Sequence, residues 1–370
     1  MDTLQVTDEA QTAATPVPFP APQARLESLD AFRGLTVAGM LLVNNPGTWS
    51  AIYPPLQHAK WHGWTATDLV FPFFLFIVGV TTHLSLRGMS PAQATPKILR
   101  RGALIILCGL LLNAFPFFWW GKIPDVPSPT FLERVVWRFE HLRIPGVLQR
   151  IGLVYLVAAL IAVRSSRRQR VVTIGVILVS YWLLMTLVPV PGTGSIGAFL
   201  LDEPSRTLAA WSDRVLLGAN HLWASTKTWD PEGPLSTLPA VATALLGVLA
   251  GEWIVRREKS LAERIAGLFA VGLLLMAAGS IWGWFFPINK NLWTSSYVLF
   301  TAGFAAVVLA CCIWLVDHYG VRGWARPFVV YGVNPLVAFV GSGIMARLIG
   351  SLIKIPFRGK FVSLQQASYE

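Results

Sequence analysis

The chain has 370 residues, 13% of them charged and 54% hydrophobic, with a mean hydropathy of +0.56. A soluble domain carries about 25% charged residues, so the composition excludes an ordinary soluble fold and predicts an all-α, polytopic membrane helical bundle. Short alternating strands are missing, which excludes a transmembrane barrel. The net charge of +11 sits in short loops between apolar runs and gives no nucleic-acid-binding face.

Residues 1–24, rich in Ala, Pro and Thr with neither a basic start nor an apolar core, read as a disordered cytoplasmic tail. Residues 25–370 read as one transmembrane domain. About nine spans follow, each near the roughly 20 residues that cross a bilayer: Ala31–Asn44, Thr65–Leu86, Ile98–Phe115, Pro145–Val163, Val171–Pro189, Thr237–Val255, Ile265–Phe285, Thr294–Leu315 and Pro327–Ile349. The first is short and is expected to begin nearer Ser28 or Asp30. Asn334-Pro335 should kink the last. Cys108, Cys311 and Cys312 fall inside spans and read as small packing residues.

Basic clusters at Arg87 to Arg101, Arg164 to Arg170, Arg256 to Arg264 and Arg322 with Arg326 place those loops in the cytoplasm, together with the N-terminus. Four loops then lie outside: 47–64, 116–144, 190–236 and 287–293. Trp49, Tyr53, Trp61, Trp64, Trp119, Trp120, Trp284 and Trp293 are expected to form the outer aromatic belt. No metal-ligand spacing occurs, and no internal repeat of useful strength suggests an inverted-repeat transporter.

Polar residues at the edge of hydrocarbon are costly and mark functional candidates. Asn44 closes the first span, either as a helix C-terminal cap or as an amide aimed at a reacting carbonyl. His58 and His62 flank Trp61 at i, i+4, and an acid–base role suits them better than zinc or simple aromatic stacking; the residues alone do not rank one above the other. Asp68 lies one turn into the second span, where it can cap the helix start. Arg150 has similar depth in the fourth span, so an Asp68–Arg150 pair is expected.

Trp61, His62, Asn289 and Lys290 are the candidate substrate-contacting residues, although turn chemistry also accounts for Asn289 and its neighbours. Trp229-Asp230-Pro231-Glu232-Gly233-Pro234 reads as a turn or as a sugar-contacting rim. Inside, Asp30 and Arg33 form an i, i+3 pair. A phosphate-bearing cofactor could use Arg33, Arg100 or Arg101, which positive-inside anchoring also explains.

These residues carry a resemblance. Arg25-Leu26-Glu27-Ser28-Leu29-Asp30-Ala31-Phe32-Arg33-Gly34, the block from Asn44 to Pro72, Ile144-Pro145-Gly146-Val147-Leu148-Gln149-Arg150-Ile151-Gly152, Asp230-Pro231-Glu232-Gly233 and Pro287-Ile288-Asn289-Lys290-Asn291-Leu292-Trp293 resemble, in order, the heparan-α-glucosaminide N-acetyltransferase family. The resemblance implies transfer of acetyl from cytoplasmic acetyl-CoA, as co-substrate, to the amine of a glucosamine-type sugar outside. It implies His58 as the active histidine and Asn44 as the catalytic asparagine, with Asp68 and Arg150 supporting them. Direct attack and a ping-pong route through acetyl-His58 both stay open. Family members usually carry a further C-terminal span, so the expectation is a chain that lacks it through truncation or closes its bundle differently; lysosomal relatives carry an extra N-terminal luminal region, so the expectation is a bacterial-type member in the inner membrane. The partners expected are an amino-sugar or glycan substrate and the bilayer, with no nucleic acid; a homodimer stays open. The rival reading is a transporter of an amino sugar or its acetylated form.

Overall fold

The computed structural model describes residues 26–46 and 51–369. The predicted tail, Arg25, Gly47 and Trp49 lie outside the described residues. The helices run α1 (Glu27–Asn44), α2 (Ala66–Leu86), α3 (Pro91–Ala114), α4 (Phe131–Glu140), α5 (Val147–Arg164), α6 (Arg167–Leu187), α7 (Leu208–Leu217), α8 (Pro234–Ile254), α9 (Leu261–Trp282), α10 (Ser295–Cys312), α11 (Arg326–Val333) and α12 (Pro335–Arg347). A hairpin of β1 (Lys354–Phe357) and β2 (Lys360–Ser363) and a last helix α13 (Leu364–Tyr369) follow. The chain is an all-α polytopic membrane protein apart from that hairpin.

Seven of the described segments are long and apolar enough to cross a membrane. They comprise α2, α5, α6, α8, α9, α10 with the wide turn that extends it to His318, and α12 with its extension to Leu352. Predicted spans one and three are helical as well, but charge interrupts their apolar length. Glu27, Asp30 and Arg33 sit in α1, and Lys97, Arg100 and Arg101 in α3. The predicted last span is broken rather than kinked. Asn334 leaves helical geometry at φ −129° and ψ 60°, separating α11 from α12. Proline at position 335 cannot donate the hydrogen bond that would continue the helix.

α2 packs along α8 and α10 along α9, and α2, α8 and α10 are the most buried of the spans. One half of this core gathers Leu75, Leu245, Trp293 and Tyr297, and the other Phe32, Phe76 and Leu309. Bare backbone permits the closest contact: a Cβ on Gly79 of α2 would stand 1.9 Å from the Ala244 carbonyl of α8, and one on Gly247 2.0 Å from that of Phe76. Small residues at a helix crossing let backbones approach where lipid supplies no hydrophobic drive. Gly34 of α1 and Gly332 of α11 make a similar crossing.

All four predicted outer loops gather at one end of the bundle. The Gly63 amide donates to Ile288 O (2.8 Å), Trp61 Nε1 to Leu201 O (2.7 Å) and the Ile144 amide to His221 O (3.0 Å). α13 reaches the same end, where Gln365 Nε2 donates to Pro46 O (3.1 Å). Tyr53, Trp120 and Trp284 are exposed there as a belt requires. Trp293 is not part of a belt: it is fully buried, with Nε1 donating to Thr243 Oγ1 at 3.1 Å.

Candidate active site

The start of α2 builds the centre of the site. The Asp68 carboxylate is buried in the first turn. One oxygen accepts the Thr65 and Ala59 backbone amides at 3.0 and 2.9 Å, and the other lies 2.6 Å from His58 Nδ1. One Asp68 oxygen thus caps the helix start, and the other faces the imidazole. Tyr297 Oη holds the Asp68 backbone by donating to its carbonyl. A carboxylate on Nδ1 keeps the proton there and leaves Nε2 as the basic nitrogen. His58 is half exposed and lines a cavity of about 390 Å³.

Asn44 lines that cavity from the end of α1. The neighbouring Asn45 does the capping, with Nδ2 donating to Leu41 O at 2.8 Å. Lys290 enters from the loop before α10, its Nζ 3.2 Å from His58 Nδ1 and 3.8 Å from Asp68 Oδ1. Burial pushes the Lys290 ammonium below the usual lysine range, while the charges of Asp68 and Glu232 work the other way.

Of the four candidate substrate-contacting residues, Lys290 lines this cavity. Trp61 bonds Leu201 O and packs edge-on against Trp229, their ring centroids 5.3 Å apart. His62 Nε2 faces Asp202 at 2.8 Å, and Asn289 Nδ2 stands 3.3 Å from His62 Nδ1. These three hold the outer loops together.

The expected Asp68–Arg150 pair does not form. Arg150 turns instead to the start of α8, with Nη2 donating to Gly233 O (3.1 Å) just before it and to Ser236 Oγ in its first turn, and its guanidinium 5.1 Å over the Trp293 ring. Equal depth in two helices fixes height and not azimuth, and Lys290 from a loop takes the place beside Asp68.

The sequence reading missed Arg143. Its fork grips Asp230, with Nε to Oδ2 at 2.8 Å and Nη2 to Oδ1 at 2.6 Å, and also Glu232. Burial opposes the Arg143 charge, but the two carboxylates prevail and raise its pKa above the usual arginine range. Arg143, Glu232, Trp223 and Trp229 complete the wall opposite His58. Below them, buried Asp213 of α7 accepts the Asp230 amide at 2.9 Å through Oδ2, while Oδ1 has no partner among the described residues. Burial pushes the Asp213 carboxyl up to about 7, and the neighbouring Asp230 charge adds to the rise. The only sequence signal for this network was acid-rich Asp230-Pro231-Glu232.

Toward the other end lies an apolar cavity of about 420 Å³ between α1, α3, α5 and α12. Lys97, Arg100 and Arg101 stand at it, with Arg101 5.1 Å over the Tyr155 ring. Met40 lines both this cavity and the one at His58, one helical turn before Asn44. Arg33 does not join Arg100 and Arg101. It bonds Asp30 and Gly332 O and lines a separate hollow with Arg87, Arg257 and Arg264.

Residues 25–286 match the family model described as heparan-alpha-glucosaminide N-acetyltransferase, catalytic. The chain belongs to the heparan-alpha-glucosaminide N-acetyltransferase family. It is 33% identical to the human heparan-alpha-glucosaminide N-acetyltransferase over 374 residues, covering 86% of this chain and 53% of the relative. The mouse protein of the same name is 32% identical over 397 residues, covering 92% and 56%. The chain thus spans about half the length of the curated relatives it matches. The family match embraces Asn44, His58, Asp68, Arg143, Arg150 and Glu232, while Lys290 lies just past it.

Proposed function

We propose that the protein is a transmembrane N-acetyltransferase that moves acetyl from cytoplasmic acetyl-CoA to the amine of a glucosamine-type sugar on the outer face of a bacterial inner membrane. The observation that carries this reading is the His58–Asp68 couple in a cavity also lined by Asn44.

Acyl transfer to an amine needs a base for the amine proton and a donor for the carbonyl oxygen as charge develops on it. His58 Nε2 is the base, because Asp68 holds the other ring nitrogen and stabilises the imidazolium that forms. The amine nitrogen bonds to the thioester carbon, the carbon–sulfur bond breaks, and the proton held by His58 returns to the leaving thiolate. The Asn44 amide steadies the oxygen. Lys290, beside His58, favours anionic charge in the cavity. Glu232, Trp223 and Trp229 suit the acceptor sugar, a carboxylate for hydroxyl groups and indoles for the sugar face.

Acetyl-CoA fits the inner cavity by its chemistry. Lys97, Arg100 and Arg101 match phosphates, and the apolar walls between them and Met40 match a pantetheine arm reaching toward Asn44. Arg33 serves α1 and α11 and is left out of this role. The basic cytoplasmic loops lie opposite the four outer ones, which supports an N-terminus inside.

The test is transfer of labelled acetyl from acetyl-CoA to glucosamine by purified protein, with His58→Ala beside it. His58-dependent transfer supports the reading. Transfer by His58→Ala at the wild-type rate would remove His58 from the mechanism, and uptake of the sugar by vesicles without a donor would favour transport.

A further inference from the structure

Acetyl transfer as described above calls for a primary amine beside His58, and the protein already holds one there. Lys290 Nζ stands 3.2 Å from His58 Nδ1 and 3.4 Å from Nε2, on a mostly buried side chain that lines the same cavity as Asn44. The transfer to a sugar gives this amine no covalent part.

The loop fixes Lys290 in place. On one side, fully buried Asn289 donates its backbone amide to Thr294 Oγ1 at 3.0 Å and accepts the Leu292 amide on Oδ1 at 2.9 Å. On the other, the Lys290 carbonyl accepts the amide of Trp293 at 3.1 Å, and Trp293 is locked in the core. Holding reacting groups about 3–3.5 Å apart turns a bimolecular encounter into an effectively unimolecular step. A thioester carbon brought to Asn44 and His58 for a sugar amine is thereby presented to Lys290 as well.

Two opposing effects set the state of this amine. Burial favours the neutral form, while Asp68, 3.8 Å away, and Glu232 favour the ammonium. A desolvated lysine holds more of the nucleophilic neutral amine than one in water. Lys60 lines the same cavity but is exposed, so it supplies the contrast within one molecule.

We propose that Lys290 is a self-acetylation site, filled from acetyl-CoA when no acceptor sugar occupies the cavity. The inference rests on the acetyltransferase reading. The neutral Nζ bonds to the thioester carbon, the carbon–sulfur bond breaks, and the Nζ proton passes through His58 Nε2 to the leaving thiolate. The products are an amide on Lys290 and free CoA. Unlike an acetylimidazole at His58, the amide is stable, and it removes the cation beside Asp68. An enzyme with donor and no acceptor is thus switched off by its own donor.

The experiment incubates the purified protein with acetyl-labelled acetyl-CoA, with and without glucosamine. Peptides are then treated with hydroxylamine, which strips acetylimidazole and spares the amide, and the label is mapped by mass spectrometry. Label at Lys290 is expected to exceed that at Lys60 and to fall about 10²-fold in His58→Ala, the contribution of a positioned base. Glucosamine should suppress it in wild type, and activity assayed afterwards should fall in step with the label. The glucosamine comparison needs no variant, so it is indifferent to how His58→Ala folds. Labelled glucosamine beside an unlabelled Lys290 would overturn the inference and leave the acetyltransferase reading intact. Label at Lys290 that neither His58→Ala nor glucosamine lowers is ordinary chemical acetylation and overturns it equally. His58-dependent label at Lys290 with none on glucosamine supports the inference while the acceptor assignment fails. Label on neither overturns both.

Discussion

His58 Nδ1 stands 2.6 Å from Asp68 Oδ1, and the other Asp68 oxygen is held by two backbone amides. The imidazole therefore has a fixed partner on a fixed helix end, and its other nitrogen faces Lys290 Nζ at 3.4 Å. A neutral amide at position 68 could present either an oxygen or an NH2 group to His58, and it would not stabilise an imidazolium. Asp68→Asn is expected to lower kcat by about 10²–10⁴-fold with a much smaller change in KM. Initial rates of labelled acetyl transfer check this, and a kcat within threefold of wild type would show that the couple does not serve the proton transfer.

Arg143 joins two carboxylates of the loop before α8, one of them the fully buried Asp230. Removing the guanidinium leaves buried negative charge without a partner, which costs about 3–5 kcal/mol. Arg143→Met should therefore unfold at clearly lower temperature. Adding Asp230→Asn should recover part of the loss, because the stranded charge disappears with it. A double variant no more stable than Arg143→Met would mean that packing against Trp223, where the guanidinium lies 5.6 Å from the ring centroid, is what matters.

How far the sequence reached is visible in these residues. Apolar run length set the helices, because spanning hydrocarbon demands it. The Asn44 to Asp68 block was legible because polar groups beside apolar spans stand out. The Asp68–Arg150 pair was misread: depth along a helix can be counted from sequence, whereas the direction a side chain takes depends on packing. Arg143 was missed for a related reason, since it meets Asp230 and Glu232 across 87 and 89 residues of chain. The break at Asn334 was half legible, with the proline obvious and the packing of α11 on α1 not.

The crossing of α2 and α8 makes a sharper demand than any polar contact. A methyl group at Gly79 would fall 1.9 Å from a backbone carbonyl, and backbone cannot swing aside as a side chain can. Gly79→Ala must force the helices apart along their most buried contact, and overpacking of this kind costs about 1–3 kcal/mol or more. Because α2 carries Asp68, activity should fall together with thermal stability. Wild-type stability in Gly79→Ala, measured in the same detergent, would show that the helices do not cross this closely.

Asp213 gives the fold a pH dependence of unusual sign. Its carboxyl is raised to about 7 in the folded protein by burial and by the nearby Asp230 charge, against about 3.9 in an unfolded chain. Between those values the folded state keeps a proton that the unfolded state has released, so stability falls as pH rises. The contribution is complete below about pH 4 and gone above about pH 7, and it amounts to about 2–3 kcal/mol between pH 5 and pH 8. Asp213→Asn keeps an oxygen to accept the Asp230 amide and carries no charge at any pH. It should therefore gain stability over wild type at pH 8 and gain less at pH 5. Thermal unfolding at the two pH values decides it: if the variant follows wild type in parallel, the carboxyl at Asp213 does not titrate in this range, and the loop that bears Glu232 is held without it.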